Sequence, residues 1–259
     1  MSPTHGSLPL QRAAKIAGAA FLFTTAASVF AGVYVGPSLI VRGDAVRTAS
    51  NIMAHEQLFR VSIVCDLLNF LGVVILNWAL YELLAPVHRS FARLAAMFRV
   101  GEACVGGAIT ASSVVAVTIL TGAPYLQVFE PGQIKALARL FLSAHGAGYN
   151  IALVFFSFGS TIYWYLVVKS RYVPNVLAWS GLLASVLAGL YFLGDVLSPA
   201  FVSAATAAAL GLPVSVRVLL ALIFVPIFSF EVTLGTWLLV KGVRIPEPHV
   251  SRHPSVPGV

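Results

Sequence analysis

Charged residues are scarce in this sequence. The 16 Lys and Arg residues and 9 Asp and Glu residues amount to 10% of its 259 residues, whereas 59% are hydrophobic. Soluble domains usually carry about 25% charged residues, and no polar stretch of this chain is long enough to form such a domain. The composition excludes a soluble enzyme domain and predicts an all-α fold, a polytopic transmembrane bundle of about six spans with one or two short interfacial helices.

Cysteine and catalytic motifs are scarce as well. The two cysteines, Cys65 and Cys104, fall within predicted spans, which argues against a disulfide framework and against a zinc site built from thiolates. The chain has no Gly-rich phosphate loop, nucleophile elbow or paired-histidine metal motif. Its net charge of +7 comes from basic residues that stand singly or in pairs, so it does not indicate nucleic-acid binding. We expect no cofactor and no metal.

Long apolar segments fill most of the chain. The first of them, residues 16–40, carries no charge over its whole length and exceeds the apolar core of about 7 to 15 residues found in signal peptides. We therefore interpret it as a retained membrane span. The six predicted spans are residues 16–40, 58–84, 94–120, 144–168, 176–197 and 216–240.

The segments between the spans predict shorter features. Asp44 is expected to cap a short interfacial helix within residues 42–57, which would bury one face. The residues of that face are Ala45, Ala49, Ile52 and Met53. The short basic turn at residues 86–89 makes spans two and three antiparallel neighbours. Residues 199–213 are apolar but too short to cross a bilayer, which indicates a re-entrant or interfacial helix.

Two further segments have unusual lengths or compositions. A helical pattern runs through residues 133–168, which exceeds the bilayer core, so its first turns must lie outside the core or bend near Gly146 and Gly148. We take residues 1–241 as one transmembrane domain. Residues 242–259 contain Pro246, Pro248 and two further prolines, and are predicted to be a disordered cytoplasmic tail.

The distribution of basic residues predicts the orientation. With six spans, both termini share one side, which holds nine Lys and Arg residues against six on the other side. The nine are Arg12, Lys15, Arg89, Arg93, Lys169, Arg171, Lys241, Arg244 and Arg252, and the six are Arg42, Arg47, Arg60, Lys135, Arg139 and Arg217. The excess predicts a protein of the cytoplasmic membrane with both termini in the cytoplasm.

Ionisable residues inside the predicted spans form an inner layer. Arg99 and Glu102 are three residues apart on one helical face, and Glu231 lies at a similar depth on the last span. Asn77 is a further candidate for this layer. A charge at the bilayer centre costs roughly 2.5 to 3.5 kcal/mol on insertion scales. Either the three charges form a structural ion-pair triad, or one glutamate lacks a cation and carries a proton.

A second, outer layer is predicted nearer the opposite surface. Its candidate members are Asp66, His145, Asn150 and Asp195, with Arg60 as an interface anchor. The first alternative for these residues is interfacial hydrogen bonding. Two carboxylates and an imidazole are also chemically able to bind a metal, but they lack a diagnostic spacing. Asn69, on the same span as Asp66, completes the candidate ligand-binding or proton-relay residues, although hydrogen bonding between helices also explains asparagines in spans.

Several of these residues belong to short motifs spread along the chain. The motifs are Gly43-Asp44-Ala45, Asn51-Ile52, Glu56-Gln57-Leu58-Phe59-Arg60, Asp66-Leu67, Phe98-Arg99, Glu102-Ala103, His145 with Gly148-Tyr149, Phe155-Phe156 with Gly159, and Leu238-Leu239-Val240-Lys241-Gly242. In them the chain resembles the bacterial multi-pass membrane proteins grouped as domain of unknown function 4386. The resemblance covers nearly the whole chain apart from its tails. It implies a single helical membrane domain and no particular activity.

These observations leave three function classes open. The first is an integral membrane protein that binds a small or lipidic ligand, or relays protons, through buried ionisable residues. The second is an intramembrane enzyme acting on a lipid or isoprenoid, with Glu102, Glu231 or Asp66 as general acid or base and Arg99 holding an anionic head group. The third is a structural or accessory membrane subunit. The lipid bilayer is the expected partner in all three.

Overall fold

In the computed structural model the chain is all-α. The structure describes residues 9–41, 43–122, 124–198 and 216–244. The predicted helix at residues 199–213 and the predicted tail beyond residue 244 lie outside this part of the chain. Helix α1 (Leu10–Leu39) widens to π-helical geometry at Val29–Val35, just before Pro37. Since proline has no N–H to donate, it interrupts the regular hydrogen bonding of the preceding turn.

The predicted short helix forms as α2 (Ala45–Ala54). The Asp44 carboxylate accepts a hydrogen bond from the Arg47 backbone N–H at 2.8 Å, which confirms the predicted cap. Ala49 and Ile52 are buried as expected, but Met53 is 44% exposed. The side of α2 that packs against the rest of the protein includes Thr48, and Met53 lies outside it.

Residues 56–120 form two helices rather than one. The run Glu56–Leu120 is helical except at His88, whose φ of −162° and ψ of 96° are extended. The Asn77 side-chain amide donates to the Ala96 carbonyl at 3.3 Å, a contact that a straight helix would forbid. The predicted antiparallel hairpin is confirmed, with α3 at 56–87 and α4 at 89–120.

Helix α5 (Pro131–Ser170) is unbroken over 40 residues. It starts at a capping box formed by Glu130 and Gln133 and ends at Arg171, whose φ of 58° is left-handed. The helix passes through Gly146 and Gly148 without a break. Its first turns extend along α2, where Ile52 packs in one cluster with Leu142.

Two more helices complete the fold, α6 (Asn175–Leu197) and α7 (Val216–Val240). Helix α5 packs between the hairpin and α6, α1 packs between the hairpin and α7, and α7 contacts α6. These contacts close a ring of helices. Many large apolar side chains on the outside of the ring are exposed, as in Leu71 at 61% and Leu190 at 65%. By length and composition, four helical runs could cross a membrane, namely Leu10–Leu39, Glu56–Leu120, Pro131–Ser170 and Asn175–Leu197.

One end of the bundle, here called the basic end, collects eight of the 16 Lys and Arg residues of the sequence. At this end the Gln11 amide donates to the Val243 carbonyl at 2.7 Å, and the Arg244 N–H donates to the Tyr172 carbonyl at 3.0 Å. The α3–α4 turn also lies there, since the Phe91 ring is 6.1 Å from that of Tyr165. The basic residues of these segments are Arg12, Lys15, Arg89, Arg93, Lys169, Arg171, Lys241 and Arg244. The opposite end, which holds α2 and the start of α5, is here called the far end.

Candidate functional site

A buried ion pair lies at the centre of the bundle. Arg99 Nη1 and Glu102 Oε2, one helical turn apart on α4, are separated by 2.5 Å. The two residues are only 4% and 5% exposed, which confirms the predicted buried ion pair. The contact is not aligned as a hydrogen bond, and none of the described residues supplies another hydrogen-bond partner to either atom. Each of these two atoms therefore has the other as its close polar contact.

Helix α5 holds Arg99 in place. The guanidinium lies over the Phe156 ring at 4.7 Å from its centroid, in cation–π geometry. One turn further, a Cβ on Gly159 would fall 2.8 Å from Arg99 Cγ, so only glycine leaves room for the arginine stem. These two residues fix the depth of the positive charge.

Glu231 reaches the same region from α7. Its carboxylate accepts a hydrogen bond from the Thr25 hydroxyl of α1 at 2.9 Å. Helices α1 and α7 approach closely at Gly18 and Gly235, where an added Cβ on Gly18 would lie 2.6 Å from the Gly235 carbonyl oxygen. The close crossing brings Thr25 within reach of Glu231.

The three charged residues line one cavity of about 70 Å³. Its polar wall is completed by a Ser28 hydroxyl that donates to Asn69 Oδ1 at 3.1 Å, and by Tyr149. A water molecule needs roughly 10 to 15 Å³ by this measure, so several waters fit. The remaining wall is mostly apolar and comprises Thr24, Phe70, Val73, Leu76, Ala152, Leu153, Phe156, Phe192 and Phe228.

A smaller cavity of about 10 Å³ lies toward the basic end, and Arg99, Phe156 and Glu231 border both cavities. Tyr163 lines it and donates from its hydroxyl to Asn77 Oδ1 at 2.6 Å. Asn77 thus binds a neighbouring helix and does not line the larger cavity. Its position favours the predicted alternative of an interhelical hydrogen bond.

The predicted outer residues separate into pairs. Asp66 Oδ2 lies 3.7 Å from His145 Nε2, whereas Asn150 donates to Asp195 Oδ2 at 2.8 Å. Arg60 pairs with Glu56 at 2.6 Å on the exposed surface of α3. In the part of the chain that the structure describes, no three His, Cys, Asp or Glu residues are placed to hold a metal ion. The metal alternative for Asp66, His145 and Asp195 therefore gains no support, because Asp195 is bonded to Asn150 instead.

Sequence reasoning missed several residues of the cavity wall. Thr24 and Ser28 are ordinary residues of an apolar span, and nothing in their spacing marks them. Thr25, the hydrogen-bond partner of Glu231, is equally unmarked. Tyr149 belongs to one of the motifs that carry the family resemblance, but the sequence does not mark it as a wall residue. The centroid of its ring lies 6.1 Å from that of His145. Tyr149 thus lies between His145 of the predicted outer layer and the cavity that holds Glu102 and Glu231 of the inner layer. The two layers are therefore less separate than the sequence indicates. The sequence feature that could have indicated the contacts of Arg99 is the Phe155-Phe156 pair followed by Gly159.

Fold and site together define a class: a helical protein with long apolar helices of the kind that cross membranes and with a charged cavity at its centre. The chain belongs to the family described as Domain of unknown function (DUF4386), whose family model matches residues 16–242. This confirms the resemblance drawn from the sequence motifs. No curated protein and no solved structure matches the chain.

Proposed function

We propose that this protein is an integral membrane protein that binds and relays protons within the bilayer at Glu102 and Glu231. The observation that carries the proposal is the cavity of about 70 Å³ whose wall holds two glutamates and a single arginine. Ordinary helix packing needs neither the cavity nor the second acid. Proton-relay sites in membrane proteins are built from such inward-facing carboxylates.

The charge balance of the cavity supports proton binding. Arg99 pairs with Glu102, which leaves Glu231 with the neutral Thr25 hydroxyl as its hydrogen-bond partner. A partly buried carboxylate that shares a single arginine with a second acid is costly to ionise, and protonation removes that cost. A proton shared between the two glutamates would neutralise the site.

The size of the cavity supports water and protons rather than a lipid. Its volume of about 70 Å³ is smaller than the roughly 150 Å³ cavity known to accommodate benzene in a protein core. A head group would require the helices to separate. Water molecules fit without such a change and can bridge Tyr149, Glu102 and Glu231, which all face the cavity.

The arrangement of helices supports a six-span topology in the cytoplasmic membrane. The hairpin contributes two antiparallel crossings, and α1, α5, α6 and α7 contribute one each. The basic end gathers eight basic side chains beside one acid, Glu82, among the described residues. This asymmetry supports a cytoplasmic location for that end and for both termini.

Proton flux measured in liposomes tests the proposal. We expect the wild-type chain to acidify liposomes that contain a pH-sensitive dye when a potential is applied. The Glu102→Gln and Glu231→Gln variants should abolish the flux, because an amide cannot bind or release the proton. Infrared spectra recorded against pH should show a protonated carboxyl band that disappears in one of these two variants.

The matched control is Asp195→Asn, which removes a carboxylate outside the cavity wall and keeps a partner for Asn150. This variant should retain the flux and the carboxyl band. If both glutamate variants kept wild-type flux while correctly folded, the proposed relay would be wrong, and a structural ion pair would explain Arg99 and Glu102.

A further inference from the structure

We infer that protons enter the central cavity from the far end along a route formed by Asp66, His145 and Tyr149. The inference rests on the proposed proton relay and adds the residues that connect it to one side of the membrane. Nothing in the family description assigns a role to these three residues.

The first step of the route is the pair Asp66 and His145. Their side chains are 14% and 21% exposed, in contrast to the nearly inaccessible Arg99 and Glu102. The nearest Asp66 and His145 atoms are 3.7 Å apart, and none of the described residues gives His145 Nε2 a hydrogen bond. An imidazole whose nitrogen is free of other bonds can take a proton from one side and pass it to the other.

Tyr149 provides the second step. It follows His145 by one helical turn on α5, and the two ring centroids are 6.1 Å apart. The tyrosine also forms part of the cavity wall and lies within electrostatic reach of Asp66, Glu102 and Glu231. A phenol hydroxyl both donates and accepts hydrogen bonds, so it can join His145 to waters in the cavity.

The basic end offers a narrower path. The cavity on that side holds about 10 Å³, which is barely enough for one water molecule. Its wall includes Trp164, whose ring packs at 6.1 Å against Phe21 and at 4.8 Å, edge on, against Phe230. Among the described residues, the tighter packing thus lies on the basic side of the central cavity, which favours entry from the far end.

Two variants test the route, both assayed as full-length protein in liposomes. His145→Gln and Asp66→Asn keep the size and polarity of each side chain but remove its ability to carry a proton at neutral pH. Proton flux should fall by about tenfold or more, since losing a positioned acid or base typically costs at least this much. The infrared band of the central carboxyl should persist at equilibrium, whereas its exchange with deuterium should slow.

The matched control is Glu56→Gln. This substitution removes a surface carboxylate at the same end of the bundle, where Glu56 pairs with Arg60. It should leave flux and exchange unchanged, and a flux loss equal to that of Asp66→Asn would show a general charge effect and overturn the route.

Wild-type flux in both route variants would also overturn the route, while loss of flux in the Glu102 and Glu231 variants would still support the relay. If one route variant fails to fold, the other decides. Unchanged flux in the glutamate variants would refute the relay itself.

Discussion

Asn77 shows how single polar residues tie this bundle together. Its amide donates to the Ala96 carbonyl of α4 and its oxygen accepts from the Tyr163 hydroxyl of α5, while Asn77 itself belongs to α3. Both of these side-chain hydrogen bonds run to neighbouring helices. In lipid, where water cannot replace a lost partner, such a residue fixes the relative position of three helices.

Replacing Tyr163 by phenylalanine should destabilise the protein. Tyr163 is 1% exposed, and the variant leaves the Asn77 oxygen buried without its donor. We expect a loss of about 1 to 3 kcal/mol in the free energy of unfolding, measured by denaturant titration in detergent. The matched Tyr165→Phe variant changes a side chain that is 45% exposed, and it should match the wild type. Equal stability of both variants would show that the Asn77 bond contributes nothing.

At the scale of single residues, only contacts within one helix could be predicted from the sequence. Arg99 and Glu102 were expected to touch because a spacing of three places them on one helical face. The bond from Thr25 to Glu231 joins residues 206 positions apart. No local periodicity constrains such a pair, since it depends on how α1 and α7 rotate about their axes.

At the scale of elements, the helix boundaries follow from local chemistry. The α3–α4 turn was predictable because Pro86 and a basic tetrapeptide interrupt an apolar run. The unbroken course of α5 was not, because glycines at 146 and 148 permit a bend but do not require one. Gly148 faces α4, where a Cβ would clash with the Ile109 side chain, so this glycine serves helix packing rather than flexibility.

The close packing of α1 against α7 predicts that Gly18 cannot be replaced by a larger residue without a loss of stability. A Cβ on Gly18 would lie 2.6 Å from the Gly235 oxygen and 2.7 Å from the Leu239 nitrogen. Backbone atoms cannot swing aside, so Gly18→Ala should push the helices apart and lower the stability by about 1 to 3 kcal/mol. The melting temperature in detergent measures this loss.

Gly107→Ala is the control for this substitution, because an added Cβ there meets nothing within 4 Å. It should be neutral or slightly stabilising, since alanine restricts the unfolded chain more than glycine does. If the two variants melted together, the close α1–α7 crossing would not limit stability. Gly18→Ala should also reduce proton flux, because Thr25 is carried away from Glu231.

For the whole molecule, the ring of helices explains why the cavity forms where it does. Helices α1, α3, α4, α5, α6 and α7 all contribute residues to its wall, and the ion pair on α4 faces α5 and α7 across it. Hydropathy predicted the all-α fold and the approximate limits of most of the described helices, whereas their order around the ring is set by side-chain packing. That order brings Asp66, Tyr149 and Glu231 of three separate helices into one electrostatic environment.

The basic end predicts the orientation of this ring in the membrane. Ser90 lies exposed in the first turn of α4 at that end. Val128, which is 83% exposed, lies in the loop before α5 at the far end. In a background with Cys65 and Cys104 replaced by alanine, a membrane-impermeant maleimide should label Val128→Cys in intact cells. It should label Ser90→Cys only after permeabilisation, because basic segments are retained in the cytoplasm. The reverse pattern would invert the topology and would make the Asp66 and His145 route open toward the cytoplasm.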